Sequence, residues 1–112
     1  QIESCVAEIV QDGKIPFMIG GEHLVTLGSL RAVAEKYPDL HIIHFDAHTD
    51  LRQDYLGVRL SHACVIRRCW EVLEESGRGQ DIQIFTRLHW MVWRTQLRRS
   101  GMRRCILQWI WM

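Results

Sequence analysis

The chain has 112 residues, a formal net charge of +1 and 24% charged residues, which is typical of one small soluble domain. This length excludes several separate cores, and no apolar run approaches the roughly 18 residues that a membrane span needs. The first residues lack the charged and apolar regions of a signal peptide and do not begin with Met, so we expect an internal fragment.

The charges divide the chain into two parts of different composition. Residues 1–81 hold all 13 acidic residues and only eight basic ones, whereas residues 82–112 hold six Arg and no acidic residue. Four of the five Trp also lie in the second part. We therefore predict one partial domain over 1–81 and an anomalous Trp/Arg-rich tail over 82–112.

The first third of the chain predicts two helices separated by a strand. Apolar residues recur at helical spacing over 2–11, and Gly13 is a typical stop after a helix. The apolar run 14–19 precedes two glycines and predicts a buried strand. Residues 24–37 then show a second helical face, which Pro38 closes.

The next elements complete a pattern of alternating helices and strands. Residues 41–46 are almost continuously apolar, as in a strand covered on both faces. Ser61 is a typical N-cap for a third helix that ends near Gly77, and residues 81–85 predict a third strand. The order αβαβαβ predicts an α/β fold built on a parallel sheet.

Four cysteines occur at spacings that match no zinc or redox motif. They are Cys5, Cys64, Cys69 and Cys105. Because disulfides are scarce in reducing compartments, we expect reduced, buried thiols in a cytoplasmic protein.

The strongest functional signal lies at the end of the second predicted strand. Asp46, His48 and Asp50 alternate along extended chain, so their side chains can converge on one side. His23 follows Gly20-Gly21-Glu22 after the preceding strand, and strand ends of a parallel sheet share one edge. Imidazole and carboxylate donors suit manganese, magnesium, iron or zinc, whereas the alternative is a solvated polar loop.

These residues resemble a known family. Gly20-Gly21-Glu22-His23, then Phe45-Asp46-Ala47-His48-Thr49-Asp50, then Ser61-His62-Ala63 are similar to the ureohydrolase superfamily, the arginase and agmatinase group. The resemblance covers about residues 1–75 and implies an incomplete piece of the arginase-like fold, a three-layer α/β/α parallel sheet.

The resemblance also implies a site and a reaction. His23 and Asp50 would bind one Mn²⁺ ion, His48 the other, and Asp46 would bridge both. Water activated by the two ions would hydrolyse the guanidinium group of agmatine to putrescine and urea. His62 would move protons beside the substrate. The partner is thus a small guanidino molecule, although arginine, guanidinobutyrate or formimidoylglutamate remain alternatives.

Other polar residues have plainer interpretations. His41 and His44 are predicted to be ordinary strand residues, and Arg67 and Arg68 to face solvent or a second subunit. Glu22 either orients His23 or is solvated. Three residues are placed at the substrate mouth without a defined role: Arg52, Asp54 and Tyr55.

One departure from the family affects the expected activity. The family needs a later pair of aspartates, and this sequence has no Asp or Glu after Asp81. The second metal site is therefore incomplete, and we expect a fragment that is inactive alone. A metal-binding but catalytically dead module is the alternative. The family commonly forms homo-oligomers.

The tail does not resemble the continuation of the family. Trp and Arg are encoded by G-rich codons and become abundant when a reading frame is displaced, so a frame shift near Gly77–Asp81 is the leading hypothesis for residues 82–112. We expect neither a nucleic-acid nor a membrane partner. The rival hypothesis is a basic, Trp-rich segment that binds one of these.

Overall fold

The computed structural model describes residues 1–37, 40–75, 82–86 and 105–109, the last two ranges as backbone strands. The chain divides into two compact units. The helical unit comprises Gln1–Pro38 and Asp50–Gln80, and the sheet unit comprises Asp39–Thr49 and Asp81–Met112.

Three helices form the helical unit. They are α1 (Ile2–Gln11), α2 (Val25–Lys36) and α3 (Val65–Glu75), and a short 3₁₀ turn (His62–Cys64) leads into α3. All three predicted helices are thus confirmed. α2 packs against both α1 and α3, which buries apolar residues of each helix. The buried set includes Val6, Val10, Leu27, Leu30, Val33, Ile66 and Leu73.

Gly28 allows α1 and α2 to approach closely. A Cβ atom at this position would lie 3.3 Å from Cγ2 of Ile2, which is tighter than ordinary van der Waals contact. At the other end of the same helix pair, Lys36 Nζ donates to the carbonyl of Val10 in the last turn of α1. A cation there is favourable because the carbonyls at a helix C-terminus carry partial negative charge.

The predicted strand over 14–19 is wrong. This segment belongs to no strand, and Ile15, Phe17 and Ile19 are 91%, 88% and 87% exposed. An apolar run only raises the propensity to form a strand. The strand itself also needs a neighbouring backbone with which to exchange hydrogen bonds. Among the described ranges, no strand pairs with this segment.

The sheet unit contains three parallel strands. β1 (His41–Asp46) lies between β2 (Ile82–Thr86) and β3 (Cys105–Trp109). In this register Ile42 is opposite Ile82 on one side and Ile106 on the other. The α/β class, the parallel pairing and the strand at 41–46 are confirmed, and the predicted strand at 81–85 is shifted by one residue. β3 lies in the tail and was not predicted.

Several predictions fall outside the described residues. The end of the third helix near Gly77 lies there, as do the side chain of Cys105 and most of the tail. Among the helices that the structure describes, none combines the length and the apolar character needed to cross a membrane.

A tight turn joins Tyr55 to Val58 in the loop before α3. The two residues exchange backbone hydrogen bonds of 2.9 and 3.0 Å. Between them Leu56 and Gly57 have φ values of +52° and +79°, the signature of a type I′ turn. This conformation suits glycine and asparagine, whereas leucine adopts it at a cost of about 1 kcal/mol.

Replacing Leu56 with asparagine is therefore expected to raise the free energy of unfolding by about 0.5–1 kcal/mol. Little packing is lost, because Leu56 is 86% exposed. Urea unfolding followed by circular dichroism measures the gain. The matched control is Leu60→Asn at a neighbouring exposed leucine without positive φ, which should change stability by less than about 0.5 kcal/mol. Equal effects of the two substitutions would refute backbone strain as the cause.

The cysteines differ in their environments. Cys64 and Cys69 are free and buried, as predicted, but Cys5 is exposed on α1, so the expected burial is wrong for that thiol. Burial raises the pKa of Cys69 from its ordinary value of 9.0 to about 12, and the charge of Arg31 lowers it by a smaller amount. Cys69 therefore remains a neutral thiol in the folded chain.

This pKa difference predicts a loss of stability in alkali. Between about pH 9 and pH 12 the folded chain keeps the Cys69 proton while the unfolded chain releases it, so the free energy of unfolding falls as pH rises. Because only one proton is released, the free energy of unfolding can fall by at most about 1.4 kcal/mol per pH unit. Urea unfolding of Cys69→Ala between pH 8 and pH 10.5 should show a shallower decline, whereas Cys5→Ala should retain the original one. A decline that Cys69→Ala leaves unchanged would contradict the assignment.

Candidate metal centre

His23 lies immediately before α2, in a position held by local contacts. Glu22 Oε2 accepts the backbone N–H of Leu24 at 2.6 Å, so Glu22 anchors the chain at the start of the helix. Nδ1 of His23 is 3.3 Å from Oγ1 of Thr26, and the His23 side chain is only 8% exposed. A contact at Nδ1 orients the ring and leaves Nε2 as the donor atom for a metal.

Asp50 faces His23 within the helical unit. Its φ of +50° is tolerated by aspartate, and its carbonyl oxygen accepts the N–H groups of Ile66 and Arg67 at 3.1 and 3.2 Å. These bonds tie Asp50 to the first turn of α3. Oδ2 of Asp50 lies 3.0 Å from Nε2 of His23, and both side chains are more than nine-tenths buried. The fold thus joins two predicted ligands of the same ion.

Asp46 and His48 lie together in the sheet unit. Asp46 ends β1, its side chain is 5% exposed, and its Oδ1 accepts the backbone N–H of His48 at 2.9 Å. Nδ1 of His48 lies 3.6 Å from the same oxygen, and the His48 side chain is 67% exposed. Asp46 is therefore fixed at the end of the strand, whereas the imidazole of His48 faces outward.

His44 is a candidate donor that sequence reasoning set aside. It is fully buried, its Nε2 lies 3.3 Å from the carbonyl oxygen of His48, and its ring donor is within 4.8 Å of a carboxylate oxygen of Asp46. The signal was present in the sequence, because His44 and Asp46 are two residues apart on one strand and share a face.

His62 lies in the loop that leads to α3. It is the first residue of the 3₁₀ turn and is exposed. The ring of Tyr55 meets the His62 ring at a centroid distance of 5.4 Å and an interplanar angle of 63°. Cζ of Arg52 lies 5.6 Å from the centre of the Tyr55 ring. One predicted mouth residue, Tyr55, therefore contacts the predicted proton carrier, and a second, Arg52, contacts Tyr55.

Arg68 is buried, so the prediction that it faces solvent is wrong. Its side chain is 6% exposed, and its Nη2 lies 2.9 Å from Oε1 of Glu71 and donates to the carbonyl of Gln53 at 3.5 Å. Arg67 is 46% exposed, as expected of a solvent-facing residue. The difference arises because residue 68 lies on the face of α3 that also buries Val65 and Cys69.

The donor chemistry fits a hard or borderline divalent cation. The helical unit holds an imidazole beside a carboxylate, and so does the sheet unit, and these are donors that such cations prefer. The sequence has no acidic residue after Asp81, so every carboxylate donor of the chain lies in the first 81 residues.

Comparison with known proteins gives a consistent result. The family model described as the Arginase family matches residues 1–90. The agmatinase of Bacillus subtilis (strain 168) is 54% identical over 72 residues, which are 64% of this chain and 25% of that protein. The agmatinase of Bacillus anthracis is 50% identical over 72 residues, with the same coverage. The crystal structure of the agmatine ureohydrolase of Thermoplasma volcanium matches with a TM-score of 0.73 at 28% identity, covering 95% of this chain and 42% of that one.

Proposed function

Because the chain belongs to the arginase family, we propose that it is part of an agmatinase-type hydrolase that cleaves the guanidinium group of agmatine to putrescine and urea. The chain spans about a quarter of the length of the curated relatives it matches. The observation that carries the proposal is the buried His23–Asp50 pair, because an imidazole 3.0 Å from a carboxylate can supply two ligands to one metal ion.

The proposed cofactor is Mn²⁺, with two ions in the complete enzyme. His23 and Asp50 would hold one ion, His48 the other, and Asp46 would bridge them. The burial of Asp46 and the outward imidazole of His48 fit these roles, and His44 would support Asp46 from the same strand. Bound ions supply positive charge that makes water acidic enough to act as a nucleophile near neutral pH.

His62 is the proposed proton carrier. Its exposure allows it to reach a substrate, and histidine is the side chain that most readily exchanges a proton near neutral pH. In this role His62 would transfer a proton to the departing amine, so that the amine leaves as a neutral group. Arg52 and Tyr55 beside it would line the substrate mouth.

The complete enzyme would contain more of the site than this chain provides. We propose that it has the three-layer α/β/α architecture, a further pair of aspartates, a homo-oligomeric assembly and a cytoplasmic location. Residues 82–112 would then result from a displaced reading frame, since they carry no acidic residue that could complete the second ion's ligands. Translating the gene in its other two frames tests this. If neither frame restores two aspartates, the frame-shift hypothesis is wrong.

Manganese titration combined with a urea-release assay tests the proposed function. The 112-residue chain is titrated with Mn²⁺ in a calorimeter and then incubated with agmatine, arginine, guanidinobutyrate and formimidoylglutamate in separate reactions. We expect one saturable Mn²⁺ site and urea release from agmatine that is weak or below detection, because the second site is incomplete. No saturable Mn²⁺ binding would refute the metal site, and release from arginine in preference to agmatine would refute the substrate.

A further inference from the structure

We infer that Tyr55 is a positioning residue for His62, whose imidazole it holds in a fixed orientation while Arg52 supports the Tyr55 ring. The catalytic meaning of this orientation rests on the proposed role of His62, whereas the contact itself does not. The inference starts from two observations. The ring of Tyr55 contacts the ring of His62, and within the described residues no hydrogen bond or ion pair holds the His62 imidazole.

His62 has few groups that could orient it. Within the part of the chain that the structure describes, no hydrogen bond or ion pair holds its imidazole, and the side chain is exposed. An exposed histidine without such a partner rotates among its rotamers. The ring of Tyr55, 5.4 Å away and inclined by 63°, is the described contact that selects among them. An edge-to-face aromatic contact raises the population of the contacting rotamer by roughly two- to ten-fold relative to the rotamers without the contact.

Tyr55 is itself held on both sides. Its backbone exchanges two hydrogen bonds with Val58, and the side chain of Asp54 accepts the N–H of Gly57 at 3.3 Å inside the same turn. The guanidinium of Arg52 lies over the Tyr55 ring, an arrangement stabilised by attraction between the cation and the ring electrons. The ring that orients His62 is therefore attached to a closed turn.

Hydrogen bonds also hold the backbone of the Tyr55 loop near that of His62. The N–H of Arg52 donates to the carbonyl of Ala63 at 3.2 Å, which ties the residue that supports Tyr55 to the residue after His62. Buried Arg68 donates to the carbonyl of Gln53 in the same loop. Because both ends of the loop are anchored, the backbone of Tyr55 is held near the backbone of His62.

Nuclear magnetic resonance on the unaltered 112-residue chain tests the contact directly. We expect nuclear Overhauser effects between the ring protons of Tyr55 and His62. In Tyr55→Leu, the His62 ring resonances should move toward their positions in the urea-unfolded chain. Trp70→Leu is the matched control, because Trp70 is a partly exposed aromatic on α3 whose Nε1 bonds Glu74. That control should leave the His62 resonances in place.

A kinetic measurement tests the consequence for catalysis. If the chain releases urea from agmatine, Tyr55→Leu should lower kcat about three- to ten-fold with little change in KM, and Tyr55→Phe should restore it because the ring is kept. Absence of the Overhauser effects in the unaltered chain overturns the inference even if Tyr55→Leu does not fold. The inference also fails if His62 resonances do not respond to Tyr55→Leu, or respond equally to Trp70→Leu. Overhauser effects in a chain that shows no saturable Mn²⁺ binding would support the contact and count against the proposed function alone.

Discussion

Asp50→Asn is expected to weaken Mn²⁺ binding by about 100-fold or more, because it removes the negative charge from the buried donor beside His23. Asparagine keeps the shape of aspartate and tolerates positive φ, so the bonds from the Asp50 carbonyl to the start of α3 should persist. Calorimetric titration with Mn²⁺ measures the affinity, and circular dichroism checks that the variant has the same helix content.

Asp54→Asn is the matched control for this measurement. Asp54 is an exposed carboxylate in the same unit, and asparagine retains the oxygen that accepts the N–H of Gly57. The control should bind Mn²⁺ within about two-fold of the unaltered chain, since a solvated charge interacts weakly with a distant ion. If Asp50→Asn and Asp54→Asn bind equally well, Asp50 is not a ligand.

Arg68→Met is expected to lower the free energy of unfolding by about 2–3 kcal/mol. The substitution keeps much of the apolar stem but removes the 2.9 Å ion pair with Glu71 and the bond to the Gln53 carbonyl. Breaking a buried ion pair costs about 3–5 kcal/mol in general. The lower figure applies here because Glu71 is 32% exposed and keeps Arg59 and Arg67, each at 3.7 Å.

Arg67, the residue before Arg68, provides a matched control for the Arg68→Met measurement. Arg67→Met removes a guanidinium that is 46% exposed, so urea unfolding should show a change of less than about 0.5 kcal/mol. A loss of similar size in Arg67→Met and Arg68→Met would mean that burial of Arg68 contributes nothing to stability.

Local patterns in the sequence predicted much of the secondary structure. The helical spacing over 2–11, 24–37 and the segment after Ser61 predicted three helices, and all three form. The apolar run at 41–46 predicted the central strand, and the pattern at 81–85 predicted one of its two parallel partners, shifted by one residue. These predictions succeed because periodicity reflects which face of an element is covered, and this is a property of neighbouring residues.

The failed predictions concern tertiary contacts, that is, which residues pack against a given segment or side chain. The 14–19 run has the composition of a buried strand, but its apolar side chains are exposed and no described strand pairs with it. Arg68 is predicted to face solvent or a second subunit, but it is buried, and Glu71 and the Gln53 carbonyl compensate its burial. Composition cannot reveal such neighbours, because they come from distant parts of the chain or from the opposite side of a turn.

The sequence alone determined which side chains could donate to a metal, their order along the chain and the family that they resemble. Side-chain chemistry and spacing follow directly from the order of the amino acids. Only the tertiary structure decided which donors meet. It brought His23 to 3.0 Å from Asp50 across 27 positions of sequence, added His44 beside Asp46, and placed Tyr55 against His62. These distances depend on how helices and strand ends pack, and packing is a cooperative property of the folded chain. The division of charge at Asp81 remains a feature of the sequence, and it limits the carboxylate ligands to those that precede it.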